Sequence, residues 1–198
     1  MIYLERKTRE TQIQMGLRIY GSGQAKVATS ISFFDHMLEA FAKHSLMDLE
    51  LVCKGDIEVD YHHSIEDCGI VMGQLLKKRI YPLHGVERFG NASVVMDEAC
   101  VECDIDLSNR AFLFFDLARK EIDESILQGQ IRDFNVELIE EWFRAVVMQG
   151  NMSVHLAIKR GRNLHHIIEA AFKAFGVALR RALSKNDSMA IPSTKGVL

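Results

Sequence analysis

The chain has 198 residues, enough for one compact domain or two fused half-size units, and 48% of them are hydrophobic, enough for a sizeable core. The formal net charge of -3 gives no sign of a nucleic-acid or membrane partner, and no apolar run reaches the roughly 18 residues of a membrane span. Four cysteines without a paired framework favour a reducing compartment, and a strand that begins directly after Met1 leaves no room for a signal peptide, so we expect a cytoplasmic protein.

In chain order, residue alternation and helical spacing predict that the two halves of the chain repeat one pattern. The first half comprises a strand at 3–20, a turn at 21–23, a helix at 31–44, a strand at 46–54, a turn at 55–56 and a helix at 62–79. The second half comprises strands at 91–107 and 111–118, a helix at 134–148, a strand at 151–159, a turn at 161–163 and a helix at 165–183. This recurrence predicts a single domain over 1–198 that is internally duplicated, at approximately 1–90 and 91–198.

The motif His-His-x-x-Glu opens the last helix of each half, at residues 62–66 and 165–169. Imidazole and carboxylate groups both ligate divalent metals. Residues four apart share one face of a helix, whereas adjacent residues are turned by about 100° from each other. The two histidines of one motif are therefore predicted to serve different ions, and the duplication predicts a metal centre built from both halves.

Two further histidines, His36 and His155, bring the count to four ligands for each of two ions. They are not equivalent under the internal alignment, which matches His36 with Glu141 and His155 with Glu50. Nitrogen-rich ligation without thiolate favours Mn, Fe or Zn over Ca or Mg, and a six-coordinate ion would keep two positions open for catalysis. The predicted ligands are His36, His62, His63, Glu66, His155, His165, His166 and Glu169.

Other polar residues have both a functional and a structural interpretation. Lys173 follows Glu169 by four, so it either points toward the metals or forms an ordinary surface ion pair. His44 is ambiguous from its spacing, and His84 is predicted to be a loop residue. Loop cations and a hydroxyl would together suit a phosphate dianion, although exposed Arg and Lys are common; they are Arg88, Arg110, Ser193 and Lys195.

The pair Cys100 and Cys103 is interpreted as two partly buried thiols in preference to a metal or redox site, because no second Cys or His pair lies nearby in the sequence.

The chain resembles the imidazoleglycerol-phosphate dehydratase family from end to end. The matching segments are 6–11, 34–39, 60–67, 88–90, 96–99, 106–110, 161–174 and 192–198. The most specific are GRNLHHIIEAAFKA at 161–174 and PSTKGVL at 192–198. Tyr61, Val95 and Asn109 depart from the usual residues of the family, and none of them is a proposed ligand.

The resemblance implies an α+β fold: a duplicated two-layer unit, each half a four-stranded sheet with two helices on one face, as in domain 2 of ribosomal protein S5. It implies two Mn²⁺ ions per active site and a homo-oligomeric shell of 24 subunits, with ligands from neighbouring chains meeting at each site. It also assigns the eight predicted ligands to the metals. Our hypothesis for their grouping places His62, Glu66, His155 and one histidine of the second pair on one ion. The other ion then takes His36, His63, Glu169 and the remaining histidine.

The implied reaction is the dehydration of imidazole glycerol phosphate to imidazole acetol phosphate in histidine biosynthesis, through a metal-bound imidazolate and a diazafulvene. The implied substrate contacts are Glu10, His44, Arg88, Arg110, Lys173, Ser193 and Lys195. We expect Glu10 and Glu169 to handle protons and Lys173 to assist the leaving hydroxyl or the enol oxygen.

Two other functions remain open from the residues alone. A metal-binding shell protein without catalysis would explain the His and Glu residues but needs no phosphate anchor. A dinuclear metallohydrolase acting on a phosphate ester usually carries bridging Asp ligands, and none of the predicted ligands is Asp.

Overall fold

Each half of the chain forms a four-stranded sheet with two helices, as the computed structural model shows over its described residues, 1–117, 129–188 and 190–196. The first half contains β1 (Ile2–Lys7), β2 (Thr11–Arg18), β3 (Ala25–Ala28), α1 (Ser32–Ser45), β4 (Asp48–Gly55) and α2 (His62–Ile80). The second half contains β5 (Phe89–Met96), β6 (Ala99–Asp106), β7 (Phe112–Asp116), β8 (Gln130–Ile131), β9 (Phe134–Asn135), α3 (Glu137–Gly150), β10 (Ser153–Arg160) and α4 (Leu164–Ala182). Residue 118 of a predicted strand and the last two residues of the chain lie outside the described part.

The two sheets have the same topology. Their strand orders are β1-β2-β4-β3 and β5-β6-β10-β7. In each sheet the first three strands are antiparallel, and the last strand runs parallel to its neighbour. Shared order and shared strand directions confirm the duplicated α+β unit. The division near residue 90 stays a prediction.

The strand prediction was wrong at two hairpins. Residues 3–20 form β1 and β2 and not one strand, and residues 91–107 form β5 and β6. Neither turn contains glycine or proline; at the second turn Asp97 supplies the left-handed conformation, with φ of 48°. The sequence pattern also missed the short strand β3 and the small β8–β9 hairpin. That hairpin occupies the predicted start of α3 and delays the helix from 134 to Glu137.

The helices of the two halves pack against each other and form one core between the sheets. Helix α2 contacts α3, and α1 contacts α4. Trp142 lies at the centre, stacked on Phe172 with ring centroids 4.7 Å apart, and the edge of Phe34 faces it at 6.3 Å. Because the core joins residues from both halves, neither half buries its helices alone. Among the described residues, no helix is long and apolar enough to cross a membrane.

Candidate metal centre

Each His-His-x-x-Glu motif lies in the first two turns of a helix that follows a central strand of its sheet. The side chain of Asn163 caps α4 by accepting hydrogen bonds from the backbone N–H groups of His165 and His166, at 3.0 and 3.3 Å. At the start of α2, Asp60 accepts from the backbone N–H of His62 at 2.8 Å. A polar residue before each helix therefore fixes the start of the helix and with it the position of the histidine pair.

Adjacent histidines point in different directions, as the helical geometry predicted. The rings of His62 and His63 are 6.2 Å apart and inclined by 86°, and those of His165 and His166 are 6.3 Å apart and inclined by 89°. The first histidine of each pair lies beside the glutamate four residues later. His62 Nε2 is 3.7 Å from Glu66 Oε2, and His165 Nε2 is 3.1 Å from Glu169 Oε2.

Three predicted ligands converge on one point. His36 of α1 and His165 and Glu169 of α4 each present a ligand atom, and these atoms lie within 4.8 Å of one another. The Nε2 atom of His36 is 3.4 Å from the same Glu169 oxygen that His165 approaches. Two imidazole nitrogens and one carboxylate oxygen form a donor set that suits a divalent transition metal. Among the described residues this is the one such cluster of three.

Glu169 is the buried member of the cluster, with 7% of its surface exposed. Its second oxygen, Oε1, accepts an ion-paired hydrogen bond from Lys173 Nζ at 2.7 Å. Burial raises the pKa of Glu169, but Lys173 and then His36 and His165 outweigh burial, and the pKa lies below its ordinary value. The pair of Lys173 and Glu169 is therefore not the surface pair of the alternative interpretation: it keeps a buried carboxylate ionised beside two histidines.

His63 lies between two carboxylates. Its Nδ1 is 3.1 Å from Asp56 Oδ2, and its Nε2 is 3.7 Å from Glu10 Oε1. The hydrogen bond with Asp56 raises the pKa of His63, and the negative charge of Glu10 adds to this effect. Glu10, predicted to handle protons, thus lies next to a predicted ligand and remains half exposed.

His166 has a similar partner in the other half. Its Nδ1 is 2.8 Å from Glu98 Oε2, while its Nε2 is 3.8 Å from the exposed Asp97. Neither Asp56 nor Glu98 was predicted to contact a histidine. Glu98 lies in the matching segment 96–99, and Asp56 lies in a recognised turn, but their spacing to the motif gave no sign of contact.

His155 lies apart from the three-residue cluster, on the outer face of the second sheet. The neighbouring residues Val154 and Leu156 are fully buried toward the helices, so His155 faces the other way. Its ring lies between Phe112 and Phe114, at centroid distances of 5.7 and 5.5 Å. One chain therefore does not bring the eight predicted ligands to one place.

An open cavity of about 420 Å³ lies beside His155 on this outer face. Its wall includes Asp106, which holds Arg88 through two hydrogen bonds, from Nε at 2.7 Å and from Nη2 at 3.1 Å. Arg88 Nη1 also donates to the carbonyl of Pro192 at 2.8 Å, so the segment that carries Ser193 and Lys195 docks on Arg88.

The predicted phosphate anchor is thus only partly assembled around Arg88. Its guanidinium is engaged by Asp106 and Pro192, and these contacts position the segment that follows. Arg110 lies in the exposed loop after β6, and its carbonyl accepts a hydrogen bond from Ser153 Oγ at 3.1 Å, which places this loop beside the cavity wall.

His44 lies near the end of α1, partly buried against α4. Burial lowers its pKa, and the positive charges of Lys173 and Arg180 lower it further. His44 is therefore close enough to Lys173, the partner of Glu169, to feel its charge.

His84 is an exposed loop residue, as predicted. All four cysteines are free and buried, which confirms the interpretation of Cys100 and Cys103 as buried thiols.

Comparisons with known proteins identify relatives that match the chain along its length. A model of the imidazoleglycerol-phosphate dehydratase family matches residues 29–179. A protein of that name from Campylobacter concisus is 60% identical over 198 residues, covering 100% of this chain and 98% of its own. One from Helicobacter hepaticus is 58% identical and covers 100% of this chain and 96% of its own.

Solved structures of the same kind share the fold. The Staphylococcus aureus imidazoleglycerol-phosphate dehydratase superposes with a TM-score of 0.79 at 33% identity, covering 94% of this chain and all of that one. The Pyrococcus furiosus structure gives 0.77 at 32% identity, covering 98% of this chain and all of that one.

Proposed function

The chain belongs to the imidazoleglycerol-phosphate dehydratase family, and from that premise we propose that it is a hydro-lyase acting on imidazole glycerol phosphate. The product is imidazole acetol phosphate, and the pathway is histidine biosynthesis. The observation that carries the proposal is the cluster of His36, His165 and Glu169, with the carboxylate of Glu169 buried and ionised beside Lys173. We further propose that the enzyme works in the cytoplasm.

The cofactor of the proposal is a pair of Mn²⁺ ions in each active site. The donor set fits: imidazole nitrogens dominate, carboxylates complete it, and Nδ1 of both His63 and His166 is held by a carboxylate, an arrangement typical of metal-bound histidines. When bound, the ions would supply positive charge that stabilises an electron-rich substrate ring. We assign His165 to the ion of His36 and Glu169, which leaves His166 for the ion of His62, Glu66 and His155.

Two residues near the metal centre are assigned separate roles: one assists the departing hydroxyl and the other removes a proton. The hydrogen to be removed lies on an unactivated carbon, so loss of the adjacent hydroxyl to give a diazafulvene must come first. Lys173 is a cation that can assist the departing hydroxyl. Glu10, half exposed beside His63, can then take the carbon-bound proton and yield the enol that becomes the ketone.

The other end of the substrate is assigned to the outer-face cavity. Ser193 and Lys195, docked on Arg88, would hold the phosphate together with Arg110 through charge-assisted hydrogen bonds. Anchoring the phosphate fixes the distance from the ring to the base. His44, beside Lys173, would contact the substrate on the metal side.

The position of His155 supports an assembly with shared sites. Because it lies on the outer face of its sheet, away from the cluster of His36, His165 and Glu169, we propose that the other ligands of its ion come from another copy of the chain in a homo-oligomer. We propose the 24-subunit shell for this assembly.

The experiment is turnover of imidazole glycerol phosphate by purified, metal-stripped protein with and without added Mn²⁺, following ketone and free phosphate. We expect ketone that depends on Mn²⁺ and no phosphate release. His165→Ala should abolish it, whereas His84→Ala, in an exposed loop, should match the unmutated protein. Phosphate release without ketone would support the metallohydrolase instead. Metal binding with neither product would support the shell protein without catalysis.

A further inference from the structure

The second histidine of each motif is held at the same ring nitrogen by a carboxylate. Asp56 Oδ2 and Oδ1 lie 3.1 and 3.2 Å from Nδ1 of His63. Glu98 Oε2 lies 2.8 Å from Nδ1 of His166. Asp56 is in the loop between β4 and α2, and Glu98 is in the turn between β5 and β6.

These contacts decide which nitrogen of each ring is open to a metal. An ionised carboxylate can only accept a hydrogen bond, so Nδ1 must carry the proton and Nε2 must carry the lone pair. The N–H groups of Asn163 and Arg162 also hold Glu98 Oε1, at 2.8 and 3.3 Å.

The duplication shows that the two carboxylates occupy non-equivalent positions. Glu98 directly precedes β6, and its equivalent in the first sheet is Glu10, which directly precedes β2. Asp56 directly follows β4, and its equivalent after β10 is Gly161, which has no side chain. The first half therefore holds Nδ1 of its histidine from the loop after β4, whereas the second half uses the hairpin turn before β6. Glu10 faces Nε2 of His63 at 3.7 Å, and 52% of its side chain is exposed.

We propose that Asp56 and Glu98 are positioning residues that fix Nε2 of His63 and His166 toward the metals, and that Asp56 thereby releases Glu10 for the substrate. In the second half Gly161 provides no such carboxylate, so the residue equivalent to Glu10 is committed to the histidine. The presence of Asp56 in one half and of Gly161 in the other explains why Glu10, and not its equivalent Glu98, is open for proton transfer. This inference rests on the proposed function for the identity of the metal and the substrate.

The first test measures Mn²⁺ affinity of metal-stripped protein, following the electron paramagnetic resonance signal of free Mn²⁺. Glu98→Gln and Asp56→Asn keep the shape of each side chain but no longer dictate which nitrogen is protonated. Each should weaken one class of site by about 10- to 100-fold. Glu58→Gln, an exposed carboxylate in the same loop as Asp56, is the matched control and should leave affinity unchanged.

The second test addresses the release of Glu10. Asp56→Gly copies the glycine of the second half, so Glu10 should then take over Nδ1 of His63 as Glu98 does for His166. Glu10→Gln should change Mn²⁺ affinity less than about twofold in the unmutated background and about tenfold in the Asp56→Gly background. Equal effects in both backgrounds would show that Asp56 does not release Glu10.

The outcomes separate this inference from the function on which it rests. Unmutated protein that binds Mn²⁺ and forms ketone, together with Glu98→Gln and Asp56→Asn variants of unchanged affinity, would overturn the positioning role alone. Unmutated protein that binds no Mn²⁺ would overturn the proposed function and this inference together. Size-exclusion chromatography and circular dichroism of each variant identify any loss of folding, and the two positioning variants lie on separate loops, so one remains informative if the other unfolds.

Discussion

Glu169 divides its two carboxylate oxygens between different partners. Oε1 accepts from Lys173 at 2.7 Å, and Oε2 faces both His36 and His165. A buried carboxylate would favour its neutral form without a cation, and the neutral form is a poor metal ligand. Lys173 is therefore expected to maintain the ligand as well as to act in the chemistry.

Replacing Lys173 by Met should make Mn²⁺ binding more sensitive to acid. The cation now lowers the pKa of Glu169 against the effect of burial, so its removal should raise that pKa. Since a proton then competes with the metal, affinity should fall more steeply on acidification than in the unmutated protein. Titration with Mn²⁺ at several pH values measures this, and Lys78→Met, at an exposed position of α2, is the control. Parallel pH profiles for Lys173→Met and the unmutated protein would contradict this role.

The sequence predicted the placement of neighbouring candidate residues on one helix better than it predicted their partners on other elements. Helical spacing is enough to place His165, Glu169 and Lys173 on one face, and the structure has them in contact. Asp56 and Glu98 are joined to their histidines by the fold of the loops, across 7 and 68 residues, and local periodicity carries no information on such pairs.

Helix packing between the halves depends on two equivalent glycines. A Cβ atom on Gly73 of α2 would lie 2.6 Å from the carbonyl oxygen of Val146 in α3. A Cβ atom on Gly176 of α4 would lie 3.0 Å from the carbonyl oxygen of Phe41 in α1. The crossing of α2 and α3 thus leaves no room for a Cβ atom at Gly73, and at Gly176 the backbone of α1 would have to shift slightly to admit one. Because α4 carries Glu169 and α1 carries His36, the crossing of these helices at Gly176 also influences the distance between those two side chains.

Substituting alanine at these glycines should destabilise the fold, although alanine favours an isolated helix. Overpacking against backbone atoms typically costs about 1–3 kcal/mol, and Gly73→Ala should cost more than Gly176→Ala because its closest approach is shorter. Thermal unfolding of the metal-stripped protein checks both. Lys78→Ala, exposed on α2, provides the comparison for the intrinsic effect of alanine. A rise in Tm for Gly73→Ala would show that the crossing can relax.

At the level of elements, long periodic segments were predicted and turns without the usual residues were not. The four helices appear close to their predicted bounds because each has a continuous apolar face. The turns at Glu10 and Asp97 lack glycine, so two hairpins were interpreted as single strands. β3 has only four residues and is stabilised by pairing with β4, which no local pattern reveals.

At the scale of the whole molecule, the predicted metal ligands are distributed over two surfaces. His36, His165 and Glu169 meet at the ends of helices, whereas His155 faces outward from the second sheet. The exposed rings of Phe112 and Phe114 beside His155, and Phe89 in the same cavity wall, leave apolar surface there for a second copy of the chain to cover. Sharing of sites cannot be deduced from one sequence, because motif spacing does not reveal which chain supplies each ligand.

Mixing two inactive variants tests whether sites are shared. His155→Ala and His165→Ala should each remove Mn²⁺-dependent turnover, since each lacks a ligand in every site. If an active site takes His155 from one copy and the cluster from another, subunits that are dissociated, mixed at equal ratio and reassembled produce some sites with neither substitution. With random mixing about a quarter of the sites should be intact, so about a quarter of the unmutated turnover should return. His155→Ala mixed with the double variant His155→Ala/His165→Ala is the control and should recover nothing, because no copy then supplies His155. If the first mixture also stays inactive although the subunits have exchanged, each site is completed within one chain.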